Sequence, residues 1–287
     1  MRSNALRCIA NTHREEGSDT SSGGWTINRN DPGNWTGGKV GKGALKGTKF
    51  GIAANTYPNL DIKNLTREQA DVIYLRDYWS KAWGDEWPMG FDQVTYDATV
   101  NSGPGRGPLW TCRALGFANA NSRAAAVSKA KNLSTNEKVA AIKRAVSGQR
   151  MTFLKGLGTW GHFGKGWTAR CGRMEALGVK MVLEEAKLSP AEQTKRLEQE
   201  AGKAKTTSNT AAGGAGAGTA AGGGGATTMP PPSDWTDWII AGSVAVIIIG
   251  TIGACVWMWW KHRERAKAYL DVAKGYFDQA RDMIGAN

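Results

Sequence analysis

The stretch from Trp238 to Trp260, WIIAGSVAVIIIGTIGACVWMWW, runs for 23 positions without a charged residue. At about 1.5 Å of rise per residue, a helix of this length reaches across the roughly 30 Å hydrocarbon of a bilayer. Backbone amides in lipid must be satisfied internally, so a membrane-spanning helix is expected here. A run this long is unusual for a buried core helix. Asp234, Trp235, Asp237 and Trp238 stand at its start. Trp257, Trp259 and Trp260 close it, and Lys261, His262, Arg263, Arg265 and Lys267 follow. Tryptophans suit both interfaces, and basic residues collect on the cytoplasmic side. The expected layout is single-pass, with the C-terminus cytoplasmic and the N-terminal module on the periplasmic or wall side. The membrane would be a host inner membrane or that of a virus particle. The N-terminus, MRSNALRCIANTHREEG, has no apolar stretch of signal length, so export is expected to rely on the span, a pore or particle assembly.

Composition divides the rest of the chain. Residues 1–185 mix helical periodicity with Gly-rich turns and are long enough for one well-cored domain. Residues 186–237 comprise a charged, exposed helix and then a Gly/Ala/Pro-rich linker, able to span roughly 30 Å as flexible coil. After the 238–260 span, residues 261–287 place Ala266, Tyr269, Leu270, Ala273, Tyr276, Phe277, Ala280 and Ile284 at helical spacing. This amphipathic helix is expected to lie on the membrane or to pair with another chain, which allows a homo-oligomer or a contact with virion proteins.

The formal charge of +12 points to anionic partners. Nucleic acid, anionic lipid and bacterial wall all qualify, but no RNA-binding or zinc-finger signature is present, so no nucleic-acid partner is expected. Cys8, Cys112, Cys171 and Cys255 are scattered, and His13, His162 and His262 are dispersed. Neither a disulfide framework, a metal site nor a cofactor is expected.

Within the module, Asn4–Glu16 reads as a helix stopped by Gly17. The polar, Gly-rich stretch Gly17–Gly51, with Trp25 and Trp35, suits a small β region or an exposed loop. Leu65–Trp79 opens with Thr66 as N-cap and Gln69 as its capping-box partner. Helices are expected at Phe91–Asn101, Pro108–Leu115, Asn121–Lys131, Asn136–Leu157 and Trp167–Glu185. The fold class is therefore mainly α (α+β), a helical domain with a small polar β region near the N-terminus.

An acid at the end of the first helix, followed by a polar β region, is an arrangement able to cleave sugars. A carboxylic acid there faces the negative end of the helix dipole, which favours its protonated, proton-donating form. Elsewhere such an acid is commonly a solvated helix end. Lys39, Lys42, Lys46 and Lys49 form a basic stretch that is either solvated or attracts anionic wall polymers.

Longer motifs sharpen this. REEG (14–17), NDPGNWTGGKVGKGALKGTKFGIA (30–53), YPNLDIKNLTREQADVIYLRDYW (57–79) and FDQVTYDATVNSGPGRGPLWTCRALG (91–116) resemble the glycoside hydrolase family 108 N-acetylmuramidases, lysozyme-like enzymes frequent in phages. GQRMTFLKGLGTWGHFGKGWTARC (148–171) resembles the C-terminal part of that family, often labelled peptidoglycan-binding. The resemblance implies a lysozyme-like fold and cleavage of the β-1,4 bond between N-acetylmuramic acid and N-acetylglucosamine in peptidoglycan. It implies Glu16 as general acid, matching the family's Glu-Gly hallmark. The insertion SDTSSG after Gly17 departs from the family pattern and leaves Glu15 as the alternative acid. Asp31 in DPGN is the candidate second carboxylate, or a plain Asp-Pro turn. Thr48 in TKFGI is a candidate holder of the attacking water, or simply a strand threonine. Asp97 and Asn101, four apart on one helix face, are expected to line the saccharide cleft, with a helix C-cap as the other role for Asn101. Trp25, Trp35 and Tyr57 are candidates to stack on sugars or to pack in the core.

The expected activity is a membrane-anchored peptidoglycan hydrolase acting in phage lysis or in opening the wall at infection. A lytic transglycosylase on the same bond is the first alternative. A non-catalytic, membrane-anchored wall-binding or virion structural protein is the second.

Overall fold

The computed structural model describes residues 2–16, 24–204, 260–261 and 263–275. Packing divides the chain into two compact units, Met1–Phe153 and Leu154–Asn287. The division falls inside the 1–185 module expected from sequence. Residues 238–259 of the apolar run and the Gly/Ala/Pro-rich linker from residue 205 lie outside the described residues. Among the described residues, no helix is long and apolar enough to cross a membrane.

The first unit is mainly helical with one two-stranded sheet. Its helices are α1 (Arg2–Glu15), α2 (Arg67–Tyr74), α3 (Phe91–Ser102), α4 (Arg106–Ala114), α5 (Arg123–Asn132), α6 (Thr135–Lys143) and α7 (Met151–Lys155), the last reaching across the division. Local chemistry sets several boundaries. At α2 the Thr66 side chain accepts from Gln69 N–H while the Gln69 side chain accepts from Thr66 N–H, the capping box expected from LTREQ. Ser134 and Glu137 make the same reciprocal pair at α6. The single helix expected at Asn136–Leu157 is instead α6 and α7 joined by a π-helical segment, Arg144–Arg150. α2 likewise continues into a π-helical turn, Leu75–Trp79.

α3 is the central element: every residue from Phe91 to Thr99 is buried, five of them polar or charged. Polar groups this deep need partners, and these fix the neighbouring helices. Asn4 Nδ2 donates to Asp92 Oδ2. Asn11 Nδ2 donates to Gln93 Oε1 at 2.8 Å, tying α1 to α3. Thr95 and Thr111 hydroxyls meet at 2.7 Å, tying α3 to α4. Gly107 lets α4 approach, since a Cβ there would stand 2.4 Å from the Thr95 carbonyl oxygen.

The sheet is a hairpin, β1 (Thr48–Lys49) against β2 (Ile52–Ala53), with Thr48 opposite Ala53 and Lys49 opposite Ile52. Phe50 (φ 52°) and Gly51 (φ 75°) form its two-residue turn, both left-handed as a type I′ turn requires. Thr26 bridges to Thr48 from the other side, and Trp35 bridges to Leu45. The small polar β region is therefore present, centred on Thr48.

The second unit is built on α8 (Trp160–Glu185). This helix starts seven residues before the expected Trp167, because Gly161, Gly164 and Gly166 mask it in the sequence. Residues 190–204 form α9, opened by Ser189, whose hydroxyl accepts from Glu192 N–H. Expected to be an exposed charged helix, α9 buries Leu197, Ala201 and Ala204.

Residues 263–275 form α10, the described part of the amphipathic C-terminal segment. Its apolar face was expected on a membrane or on another chain. It packs on α8 of the same chain instead, with Ala266, Ala268, Tyr269 and Ala273 buried. The cause is Glu175, a carboxylate with no exposure: Arg265 Nη2 donates to its Oε1 at 2.6 Å and the Tyr269 hydroxyl at 3.1 Å. A buried charge requires such partners. Tyr276, Phe277, Ala280 and Ile284 lie outside the described residues.

Candidate active site

Glu16 follows the last residue of α1, its N–H donating to the Thr12 and His13 carbonyls at 3.2 and 3.1 Å. It is exposed, while Glu15 is half-buried. The helix end is anchored by His13, fully buried, whose ring meets the Tyr74 ring of α2 edge-on at 4.4 Å between centroids. Thr12, also buried, accepts from Gln93 Nε2 of α3 at 3.4 Å. The position of Glu16 is thus set by contacts of the turn before it. The SDTSSG insertion, residues 18–23, lies outside the described residues.

The Tyr74 hydroxyl donates to the Phe50 carbonyl at 3.0 Å, which fastens the hairpin turn to α2. One helical turn on, Tyr78 lies 5.4 Å from Tyr74 between ring centroids. Burial pushes the Tyr78 hydroxyl pKa up, and the negative charges of Asp77 and Glu16 add to this, against a hydrogen bond from Tyr57. Tyr78 therefore stands within the field of Glu16. Beside it, the Tyr57 hydroxyl donates to Asp77 Oδ2 at 2.8 Å, and Arg76 Nε donates to Asp77 Oδ1 at 2.8 Å. The Arg76 hydrogen bonds hold the Asp77 carboxyl at about 2, so this group is ionised through the acid range. Burial and the Asp77 hydrogen bond push the Tyr57 hydroxyl far up, so it stays a donor.

A surface pocket of about 280 Å³ opens here, lined by Thr56, Tyr57, Asn59, Leu60, Ile73 and Arg76. Leu60 and Ile73 also line a second pocket of about 420 Å³ that reaches Asp61, Asn64 and Gln69. The two form one groove running from the Tyr57–Asp77 pair along α2. Apolar side chains with amides and a guanidinium suit a polyhydroxylated ligand.

The expected site residues are distributed as follows. Asp31 caps the short 3-10 turn Pro32–Asn34: Oδ1 accepts from Gly33 N–H and Oδ2 from Asn34 Nδ2, each at 2.8 Å. The carboxylate is exposed and is the linchpin of the DPGN turn. Thr48 sits mid-sheet, exchanging backbone hydrogen bonds with Thr26 at 2.9 Å. Trp25 is exposed, its indole N–H on the Lys46 carbonyl and Lys63 Nζ 5.3 Å from its ring centroid. Trp35 is half-buried and donates to the Arg29 carbonyl. Of the lysine stretch, Lys46 donates to the Pro58 and Leu60 carbonyls and Lys49 to that of Lys63, bracing the loop under the groove.

Asp97 requires correction. Its carboxylate has no exposure and accepts from Arg150 Nη1 at 2.6 Å, while Arg150 Nη2 donates to Asn101 Oδ1 at 2.8 Å. A saccharide cannot reach a carboxylate sealed in the core, so Asp97 holds the π segment, while Asn101, half-buried, shares the Arg150 guanidinium. Sequence reading overlooked Asp77, Tyr78 and Arg150. Asp77-Tyr78 lay within the YLRDYW motif, and a Tyr-x-x-x-Tyr repeat at helical spacing was its available signal.

Residues 12–103 match the family model described as Glycosyl hydrolase 108. The match begins four residues before Glu16 and takes in Asp31, Thr48, Tyr57 and Asp77. It supports a glycoside hydrolase in this part of the chain. The solved structure of Brucella abortus SagA is similar at 25% identity and a TM-score of 0.49, covering 63% of this chain and 97% of that one. No curated protein matches the chain.

Proposed function

We propose that the chain is a peptidoglycan hydrolase of the N-acetylmuramidase type, with Glu16 as general acid. The observation that carries this reading is an exposed carboxylate at the end of α1, its charge felt by Tyr78, inside the segment matched to the hydrolase family. Glu16 donates its proton to the leaving glycosidic oxygen. Asp77, ion-paired with Arg76, holds the Tyr57 hydroxyl at the edge of the pocket. Thr48 or Asp31 positions the attacking water. Tyr57 and Trp25 supply faces for sugar rings.

We further propose that the 238–260 run holds the enzyme at a membrane, with the catalytic unit on the wall side, in phage lysis or in opening the wall at infection. While α10 packs on α8, both lie on that same side.

The test is clearing of purified peptidoglycan by the detergent-solubilised full chain, wild type beside Glu16→Gln and Glu15→Gln. Loss of about 10²–10⁴-fold confined to Glu16→Gln is expected for a general acid. Loss confined to Glu15→Gln would move the acid by one residue, and a wild type that binds walls without clearing them would sink the hydrolase. Product masses separate hydrolysis from an anhydro-forming transglycosylase.

A further inference from the structure

We propose that the groove along α2 takes the peptide stem of the wall polymer, with Asp61 at its far end holding an amine of that stem. This rests on the hydrolase reading above, in which Tyr57 faces a sugar ring. It adds a subsite for the peptide that a muramyl sugar carries.

The far pocket, about 420 Å³, differs from the Tyr57 pocket in its lining. No aromatic ring lines it, so it offers no flat face to a pyranose. Its apolar floor is made of Leu60, Leu65, Val72 and Ile73. Leu65 and Ile73 are buried, and Val72, 60% exposed, carries the floor out to the surface. Branched aliphatic walls of this kind cover small alkyl groups, such as the methyl side chains of alanines.

The amides on the rim are fixed by their own hydrogen bonds. Gln69 Oε1 accepts from Thr66 N–H at 2.9 Å in the capping box, which leaves Nε2 as the donor toward a ligand. Asn64 Nδ2 donates to Asp61 Oδ2 at 2.8 Å, which leaves Oδ1 as the acceptor. One held donor and one held acceptor match the C=O and N–H groups that an extended peptide presents.

Charge sets the direction in which a peptide lies. Asp61 is exposed, and the hydrogen bonds from Asn64 hold its carboxyl below the usual value, so it is ionised at neutral pH. Lys46 and Lys63 also act on it, but both are engaged elsewhere: Lys46 Nζ on the Pro58 and Leu60 carbonyls, Lys63 over the Trp25 ring. At the near end, the Arg76 side chain is 63% exposed. Asp77 engages its Nε and Nη2, and a guanidinium carries five N–H donors, enough for a second carboxylate. Gln69 and Arg76 are seven residues apart, about 10 Å along the helix, roughly three residues of extended chain. A wall stem combines alanines with an acidic residue and a diamino acid. Leaving the sugar at Tyr57, it sets its acid near Arg76, its methyls on the floor and its free amine on Asp61.

The experiment uses the detergent-solubilised full chain and the tetrapeptide Ala-Glu-diaminopimelate-Ala as probe. Isothermal titration should show the tetrapeptide binding to the wild type and several-fold more weakly to Asp61→Asn and to Val72→Asp. Both side chains are exposed, and thermal unfolding checks that the fold of each variant stands. The KM for intact walls should be several-fold lower than for walls stripped of their stems by an amidase, and Asp61→Asn should erase that difference. A wild type that does not bind the tetrapeptide overturns the proposal, as does one with equal KM on the two walls. Equal binding by wild type and both variants overturns it too. A chain that binds the tetrapeptide through Asp61 and Val72 yet clears neither wall upholds the peptide subsite and overturns the hydrolase reading alone.

Discussion

The Tyr57 hydroxyl donates to the Asp77 carboxylate at 2.8 Å, joining the loop after the hairpin to the π-helical turn that ends α2. This bond closes the head of the groove. Tyr57→Phe removes one hydrogen bond to a charged acceptor from a half-buried site, so a loss of about 1–3 kcal/mol is expected by denaturant titration. Wall clearing should fall through weaker substrate binding, seen as a raised KM with kcat less affected.

Asp77 gives a pH dependence with a definite sign. Its folded pKa, about 2, lies below the ordinary value of 3.8, chiefly through Arg76. The ionised form is therefore favoured by folding, and its contribution is present above about pH 4 and lost as pH falls toward 2. Asp77→Asn should flatten the stability profile in that window, measured by thermal unfolding between pH 2 and 5. The same variant should lower the Tyr57 pKa, read as an earlier phenolate absorbance in alkaline titration and assigned by its absence in Tyr57→Phe.

Asp97 and Arg150 are both sealed from solvent. Removing one partner leaves a buried charge, and such single losses run to about 3–5 kcal/mol. Arg150→Met is expected to lower the stability of the first unit by that amount. Asp97→Leu/Arg150→Met should recover much of it, since a buried pair is often replaceable by packed apolar side chains. If Asp97→Asn instead raised KM without loss of stability, a cleft role for Asp97 would return.

Gly51 combines a left-handed backbone with contact: a Cβ would stand 2.5 Å from the Tyr74 hydroxyl oxygen. Gly51→Ala should destabilise by about 1–3 kcal/mol through backbone strain and displacement of Tyr74. Wall clearing should fall as well, because Tyr74 holds His13 beneath the turn that carries Glu16.

The α8–α10 contact bears on topology. A single crossing by residues 238–260 would put the two helices on opposite faces of the bilayer and break the Glu175–Arg265 pair. The ideal Cβ position at Gly172 lies 3.6 Å from the Ala268 Cβ, a separation that suits a disulfide. Gly172→Cys/Ala268→Cys should cross-link in the membrane-bound chain. A floating chain that never cross-links would show that the helices stand apart, with the C-terminus across the membrane.

Much of this protein is legible along the chain. The start of α2 at Thr66 and Gln69, the burial-ready α3 and the end of α1 beside Glu16 all follow from hydrogen bonds and periodicities within a few residues. Those signals act locally, and sequence neighbours suffice to express them.

What only the tertiary structure decided lies at long range. Asp97 reads identically as a cleft carboxylate or a core one until Arg150, 53 positions away, is packed against it. Glu175 reads as a solvated helix charge until Arg265, 90 positions on, covers it. Asp77 becomes part of the candidate site only when the loop folds Tyr57 onto it. In each case the side chain's chemistry is fixed by its type, while its role depends on which distant partner lowers the free energy of burying it. That choice belongs to the packed chain as a whole.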